Sequence, residues 1–413
     1  MTPAGLTRRL GTGDAVVVGL GAMIGAGVFA AFPPAAGAAG GRLPVALGIA
    51  AVVAYCNAIS SARLAARYPA SGGTYVYGRR RLGDLWGFLA GWGFVVGKTA
   101  SCAAMALTFG AYLAPGHARL FALVAVAVLT GLNLVGVHKS MLVARVLVTA
   151  VIAVLLAVVA AGLAGHTVLP AIPGTAAPSG WDVLQAAGLL FFAFAGYARI
   201  ATLGEEVREP DRVIPRAILW SLTITLLLYA AVAATLLHVL GPARLAAATA
   251  PLVDAVTAAG APWLAPVVRA GAAAAALGSL LALILGVSRT VFAMARDRHL
   301  PAALDAVSAR HGVPHRAEAV VGVAVAALVV TADLRGAIGF SSFGVLVYYA
   351  VANAAALTLR REEGAPWRPV PVLGLVGCLV LAATLPTASV LGGLAVFAVG
   401  GVVWLVTRRR AAA

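Results

Sequence analysis

The sequence predicts an all-α membrane protein with twelve transmembrane helices, and three observations carry that expectation. Apolar residues make up 62% of the chain, at a mean hydropathy of +0.98, and only 11% are charged; a soluble domain carries about 25%. Apolar runs of spanning length recur from residue 13 to residue 406, so no stretch remains from which a water-facing surface could be built. At about 20 residues per span plus short connections, the 413 residues accommodate about twelve helices. Little is left for an extramembrane domain, which excludes a membrane-tethered soluble enzyme.

The first expected span, 15–39, follows Arg8 and Arg9 and contains the glycine-interrupted sequence GLGAMIGAGVF. No small-residue cleavage site clearly follows a compact apolar core, so no cleavable signal is evident and this helix is expected to stay. Spans two and three, 45–65 and 85–113, flank a connection with Arg63, Arg67, Arg79, Arg80 and Arg81. Spans four and five, 120–137 and 142–162, meet at Lys139 and Arg145, and spans six and seven, 181–203 and 217–240, at Arg208, Arg212 and Arg216. Arg289 at the end of span eight, 264–294, is followed by Arg296, Arg298, Arg310 and Arg316 before span nine, 319–331. Spans ten and eleven, 338–359 and 372–385, flank Arg360, Arg361 and Arg368, and span twelve, 390–406, runs into Arg408, Arg409 and Arg410. The ninth and eleventh are short.

All these basic clusters fall on the side of the N-terminus. The opposite connections hold only Arg42, Arg119, Arg244, Arg269 and Arg335, and Lys98 and Arg199 fall within spans. The formal charge of +16 therefore marks membrane orientation rather than a nucleic-acid surface. A multi-pass protein of the cytoplasmic (plasma) membrane with both termini cytoplasmic is expected. Cys56, Cys102 and Cys378 all lie in apolar runs, where they act as small hydrophobes rather than disulfide partners or a metal set.

Glycine punctuation recurs in span one, at Gly19, Gly21, Gly25 and Gly27, and in span six, at Gly188 and Gly196. Those spans are five apart, and an odd number of spans inverts the second copy of a repeat. Broken helices at matching places in two inverted halves point to a transport site at the bilayer midplane. Close helix packing accounts for most of the 47 glycines, though less well for the cluster at Gly21, Gly25 and Gly27. At the first break, amides of the outer half-helix suit a carboxylate, and carbonyls ending the inner half-helix near Gly21–Met23 suit an ammonium. A zwitterion fits both ends. On the glycines alone, a packing motif and a substrate site stand open together.

The segment GAMIGAGVF resembles the first-helix signature of the amino acid/polyamine/organocation permeases, which share the leucine-transporter-like fold. Three further segments are similar to that superfamily in order and spacing. Arg67-Tyr-Pro-Ala-Ser-Gly-Gly-Thr-Tyr-Val-Tyr77 with Trp86-Gly-Phe-Leu-Ala-Gly-Trp92 resembles its second-to-third helix connection. Phe191-Phe-Ala-Phe-Ala-Gly-Tyr197 through Gly204-Glu-Glu-Val-Arg-Glu-Pro210 and Ile214-Pro-Arg216 resembles its sixth helix and following loop. Ser288-Arg-Thr-Val-Phe-Ala-Met-Ala-Arg-Asp-Arg-His-Leu-Pro301 resembles its loop after helix eight. The resemblance implies a five-plus-five inverted repeat with broken helices one and six. Residues 1–165 would form the first repeat, 166–362 the second, and 363–413 helices eleven and twelve with a short tail.

By the same resemblance, the protein moves amino acids by alternating access, with the substrate carboxylate on the amides of Gly25, Ala26 and Gly27. The amine falls to carbonyls around Ala22, Met23, Ile24 and Phe191, Phe192, Ala193 and Phe194, and Phe192 stands where an aromatic covers the occluded substrate. Proton-coupled relatives often carry a lysine on helix five, but the matching stretch 146–152 has none. Lys98, about 20 Å along span three, is too deep to snorkel easily and is the candidate for the coupling role, with a structural lysine as the other reading.

Arg199 lies three residues past the second break and about 9 Å of helical rise from Glu205. It is expected to form an inner-gate salt bridge with Asp14 or Glu206 rather than to touch substrate. Glu205, Glu206, Glu209 and Asp211 among Arg208, Arg212 and Arg216 read as a solvated ion-pair network, not as catalytic carboxylates or a metal site. His311 and His315 flank Pro314 and make no ligand set. Neither cofactor, metal nor obligate protein partner is expected; the partners are the amino acid, the lipid bilayer and protons. An exchanger of amino acids or polyamines is the alternative transport mode. A channel and a membrane-embedded enzyme are the rivals from other classes, and no nucleophile–base or metal constellation supports the enzyme.

Overall fold

The computed structural model describes residues 10–69, 72–136, 141–165, 177–201, 203, 206–308 and 310–412, with side chains to Thr407. Seventeen α-helices follow one another: α1 (Thr12–Met23), α2 (Ala26–Ala30), α3 (Phe32–Ala39), α4 (Leu43–Arg67), α5 (Thr74–Leu82), α6 (Asp84–Leu113), α7 (Ala118–Leu134), α8 (Met141–Ala164), α9 (Gly180–Phe194), α10 (Ala198–Ala201), α11 (Pro210–Ala247), α12 (Pro251–Ala258), α13 (Ala265–Arg296), α14 (His315–Thr331), α15 (Leu334–Leu357), α16 (Pro369–Thr384) and α17 (Thr387–Ala412). Among the described residues extended pairing is confined to one isolated bridge, Leu10 with Val207. All-helical architecture is what a bilayer demands, because each helix satisfies its own backbone.

Among the described residues ten helical stretches are long and apolar enough to cross a membrane. α14 and α16, with 17 and 16 residues, coincide with the predicted ninth and eleventh spans and fall short of that length. Within the Gly180–Ala201 stretch 83% of the most apolar window is buried in the protein, against 11% in Thr387–Thr407. The second broken helix is therefore central and the last helix peripheral. Cys56, Cys102 and Cys378 are free and buried.

The two breaks do not use every glycine that marked them. α1 ends at Met23, and the backbone leaves helical geometry at Ile24 (φ −79°, ψ 48°) and Gly25 (φ −100°, ψ −133°). Gly19 and Gly21 lie within α1 as packing glycines, Gly19 facing Ile200 and Ser221. The second break is a tight turn at Ala195–Tyr197. Gly188, expected as part of it, lies inside continuous α9, where a Cβ would meet Leu385 and the Leu381 carbonyl at 3.0 and 3.1 Å.

At the arginine-rich end, side chains tie the α4–α6 connection to the later helices. Arg81 grips Glu363 with two nitrogens, at 3.0 and 2.8 Å, and donates to Thr358 Oγ1 at 2.9 Å; Arg67 adds a contact to Glu363 at 3.4 Å. Arg79 bonds Asp84 at 3.1 Å and Asp297 at 2.6 Å, and Tyr75 donates to Asp297 at 2.7 Å. The Arg81 guanidinium holds the Glu363 carboxyl down to about 2. A carboxylate depressed by folding contributes stability above its unfolded value and loses it as pH falls through the folded one. Glu363→Gln is accordingly expected to lower the thermal midpoint slightly at pH 7. That difference should shrink between about pH 4.5 and pH 2; a difference that grows on acidification would contradict the clasp.

Candidate substrate site

The two breaks lie against each other and are stitched by side chains from three other helices. Tyr229 of α11 donates to the Met23 carbonyl at 2.6 Å, and its hydroxyl lies 3.2 Å from the Ala193 carbonyl. Gly196 is pressed onto the first break, where a Cβ would come within 2.4 Å of the Ala22 carbonyl and 2.6 Å of Met23 N. Gly27 is equally close to α9, since a Cβ there would meet Ala193 Cα at 2.7 Å. On the far side Ser279 of α13 donates to the Gly21 carbonyl at 2.9 Å, and a Cβ on Gly25 would meet its Oγ at 2.4 Å. The first amides of α2 have no acceptor within that helix.

Lys98 of α6 is 5% exposed, and its Nζ donates to the Ala195 carbonyl at 3.0 Å. The ammonium thus meets the carbonyl end of the α9 half-helix, where the dipole favours a cation. The Tyr349 hydroxyl lies 3.5 Å from the same carbonyl, and the Tyr349 ring stacks on Tyr197 with centroids 5.0 Å apart. Phe191 and Phe194 are fully buried against Tyr349 and Tyr229. Phe192, at 7% exposure, is the least covered of the three.

The structure therefore brings Ala22, Met23, Ile24, Gly25, Ala26 and Gly27 together with Phe191, Phe192, Ala193 and Phe194. It also occupies some groups that the sequence left for the substrate amine, since the Met23 and Ala193 carbonyls already face Tyr229. Tyr229, Tyr349 and Ser279 do not stand out in the sequence. The available signal was a single tyrosine in the apolar run 217–240 and a serine closing the alanine-rich stretch 270–279.

Of the two partners expected for Arg199, Glu206 acts on it, and Asp14 has a partner on α8. Asp14 pairs with Arg145 of α8 and accepts from the Gly11 amide at 3.1 Å, which joins Asp14 to α8. Arg199 lies in α10, with Glu206 and Arg289 as the charged groups acting on it. Leu10 donates to the Glu206 carbonyl at 3.1 Å and accepts from Arg208 N at 3.0 Å, latching the segment before α1 to the connection after α10. Glu205, expected in the same charged cluster, lies outside the described residues.

Two helices broken side by side in a bundle of apolar spans, clasped by buried hydroxyls and a lysine, define a helical membrane transporter. Residues 10–406 match the amino acid permease family, and the chain belongs to it. It is 64% identical to an uncharacterized transporter of Mycobacterium tuberculosis over 98% of this chain and 94% of the relative. It is 28% identical to a branched-chain amino acid permease of Bacillus subtilis over the same shares. Against cationic amino acid transporter 4 of Homo sapiens it is 28% identical over 87% of this chain and 61% of the relative.

Proposed function

We propose that this permease is a secondary active transporter of amino acids that works by alternating access and is coupled to protons. The observation that carries the reading is the meeting of the two breaks, with Tyr229 spanning Met23 and Ala193. A site built from both halves opens to one side when the halves rock one way and to the other when they rock back. The carboxylate rests on the Gly25, Ala26 and Gly27 amides, the amine on carbonyls around Ala22 and Phe191–Phe194, and Phe192 covers the substrate. Lys98, fixed to Ala195, carries the proton. α14 and α16 serve as the ninth and eleventh of twelve spans in a five-plus-five inverted repeat, and the arginine-rich end with both termini faces the cytoplasm.

The cargo is an amino acid with a neutral side chain. The site is lined by glycine, alanine and phenylalanine and holds a buried cation, so a lysine or arginine side chain would bring charge to an apolar wall beside Lys98. The Bacillus relative, named for branched-chain amino acids, agrees with that preference.

A thermal-shift screen of the purified protein against the twenty amino acids and common polyamines tests the reading, since a ligand stabilises in proportion to the logarithm of its occupancy. Neutral amino acids are expected to raise the midpoint, and a shift confined to lysine, arginine or polyamines would overturn the assignment. Saturable counterflow in proteoliposomes separates a carrier from a channel, and accumulation that persists without a proton gradient would favour an exchanger. Sodium is not the driving ion, because the span-eight stretch 270–279 is apolar apart from Ser279, whose hydroxyl serves Gly21. Uptake at fixed pH and voltage should therefore be indifferent to a sodium gradient; a steep rise would exclude this.

A further inference from the structure

The α14 helix carries a protonatable group that the substrate site does not use. Glu318, one turn into that helix, has no exposed surface. α7, α6 and α13 pack around α14. From α13 the Ser288 hydroxyl donates to Glu318 Oε2. From α7 Asn133 faces the carboxyl while its own amide donates to the Leu281 carbonyl at 3.2 Å. Among the described residues Glu318 Oε1 has no hydrogen-bond partner, and neither has Thr130 Oγ1, one turn before Asn133 on the same helix. Three residues before Glu318, and so on the same face of α14, His315 is half-buried with its Nδ1 also buried and unpartnered.

The other groups around this carboxyl do not neutralise it. Among the described residues no basic side chain lies within ion-pair distance of Glu318. Arg289 on α13 is exposed and acts from farther away, and Arg316 on α14 reaches the Ala303 carbonyl at 3.3 Å. Cys102 on α6 lies within electrostatic reach of both Glu318 and Lys98, which is one turn along the same helix. An ionised carboxyl so placed is an uncompensated charge among apolar helices, and such a charge is expensive and functional by default. A proton on the bare Oε1 removes the charge and leaves the Ser288 bond intact.

We propose that Glu318 is a proton-binding site of the transport cycle, filled and emptied past His315 from the arginine-rich end. The inference rests on the proton-coupled reading above and adds a second group to it, on α14 rather than α6. In the step itself the Oε1–H bond breaks as its proton passes to an intervening water, which gives up a proton of its own to form an N–H bond on His315, with no change of oxidation state. Glu318 Oε1, Thr130 Oγ1 and His315 Nδ1 are each buried without a partner among the described residues and so open to a bridging water.

Infrared difference spectra of the purified protein across a pH step test proton binding directly. Wild type is expected to show the carbonyl band of a protonated carboxylic acid, shifted in heavy water, which Glu318→Gln lacks and Glu318→Asp retains. A band undiminished in Glu318→Gln overturns the proposal. In proteoliposomes Glu318→Gln should cut proton-driven accumulation at least tenfold and flatten its pH profile, and His315→Gln should displace that profile. A Glu318→Gln profile superimposable on wild type overturns a role in the cycle. Wild-type uptake indifferent to a proton gradient would instead sink proton coupling itself, while the infrared band would still support or overturn proton binding at Glu318.

Discussion

Gly27→Val and Gly25→Val are expected to abolish transport while the protein still reaches the membrane. At position 27 even a Cβ would stand 2.7 Å from Ala193 Cα, a backbone atom of the second broken helix that cannot step aside. At position 25 it would stand 2.4 Å from Ser279 Oγ, which is held by the Gly21 carbonyl. Overpacking of this kind costs about 1–3 kcal/mol before the bulk of valine is counted. It falls on the atoms proposed to cradle the carboxylate, so affinity should drop by roughly 10- to 100-fold or more. Gly48→Val is the control, because nothing lies within 4 Å of a Cβ there. Undiminished substrate affinity in either cradle variant, measured by the thermal shift or by counterflow, would remove the cradle from these residues.

The second large effect is expected at Lys98. Lys98→Ala should lose proton-driven accumulation while substrate counterflow survives at a reduced rate, because the substitution removes the charge from the Ala195 carbonyl but leaves both breaks in place. Lys98→Met, which keeps most of the side chain's volume without its charge, separates coupling from packing. For this variant, accumulation is expected to fall to the level wild type shows with the proton gradient collapsed. If accumulation and its pH dependence survive in both variants, Lys98 is a structural lysine and the proton is carried elsewhere.

Much of the fold was legible because a bilayer reduces sequence reading to lengths and breaks. Apolar run length gave the helices, and the two marginal runs are the two helices that fall short of full spanning length. The first break followed from Gly25, while Gly27 lies in α2 and admits Ala193. The second was half legible, since Gly196 lies in the turn but Gly188 packs inside a continuous helix; composition cannot tell a glycine that bends the backbone from one that admits a neighbour. Partnerships across the chain were not legible. Asp14 and Arg145 are 131 residues apart, and Tyr229 and Met23 are 206 apart. No periodicity encodes such pairs, because they depend on how helices are placed after each has formed. Glu318 was hidden differently: beside the basic run it reads as one more surface charge, and only the packing of three other helices turns it into a buried acid.

The Leu10–Val207 bridge also imposes an order of events during synthesis. At roughly 5–20 residues per second, about 10–40 s separate the emergence of its two residues from the ribosome. Through that interval α1 enters the bilayer without the connection that will latch it, and its break waits for α9 and α11. Arg145 arrives earlier and can take the Asp14 carboxylate first. The nascent N-terminal helices thus have one anchor, the Asp14–Arg145 pair, before the latch to residues 206–208 exists. Loss of Arg145 would then show as poor yield of inserted protein rather than as slow turnover of the molecules that mature.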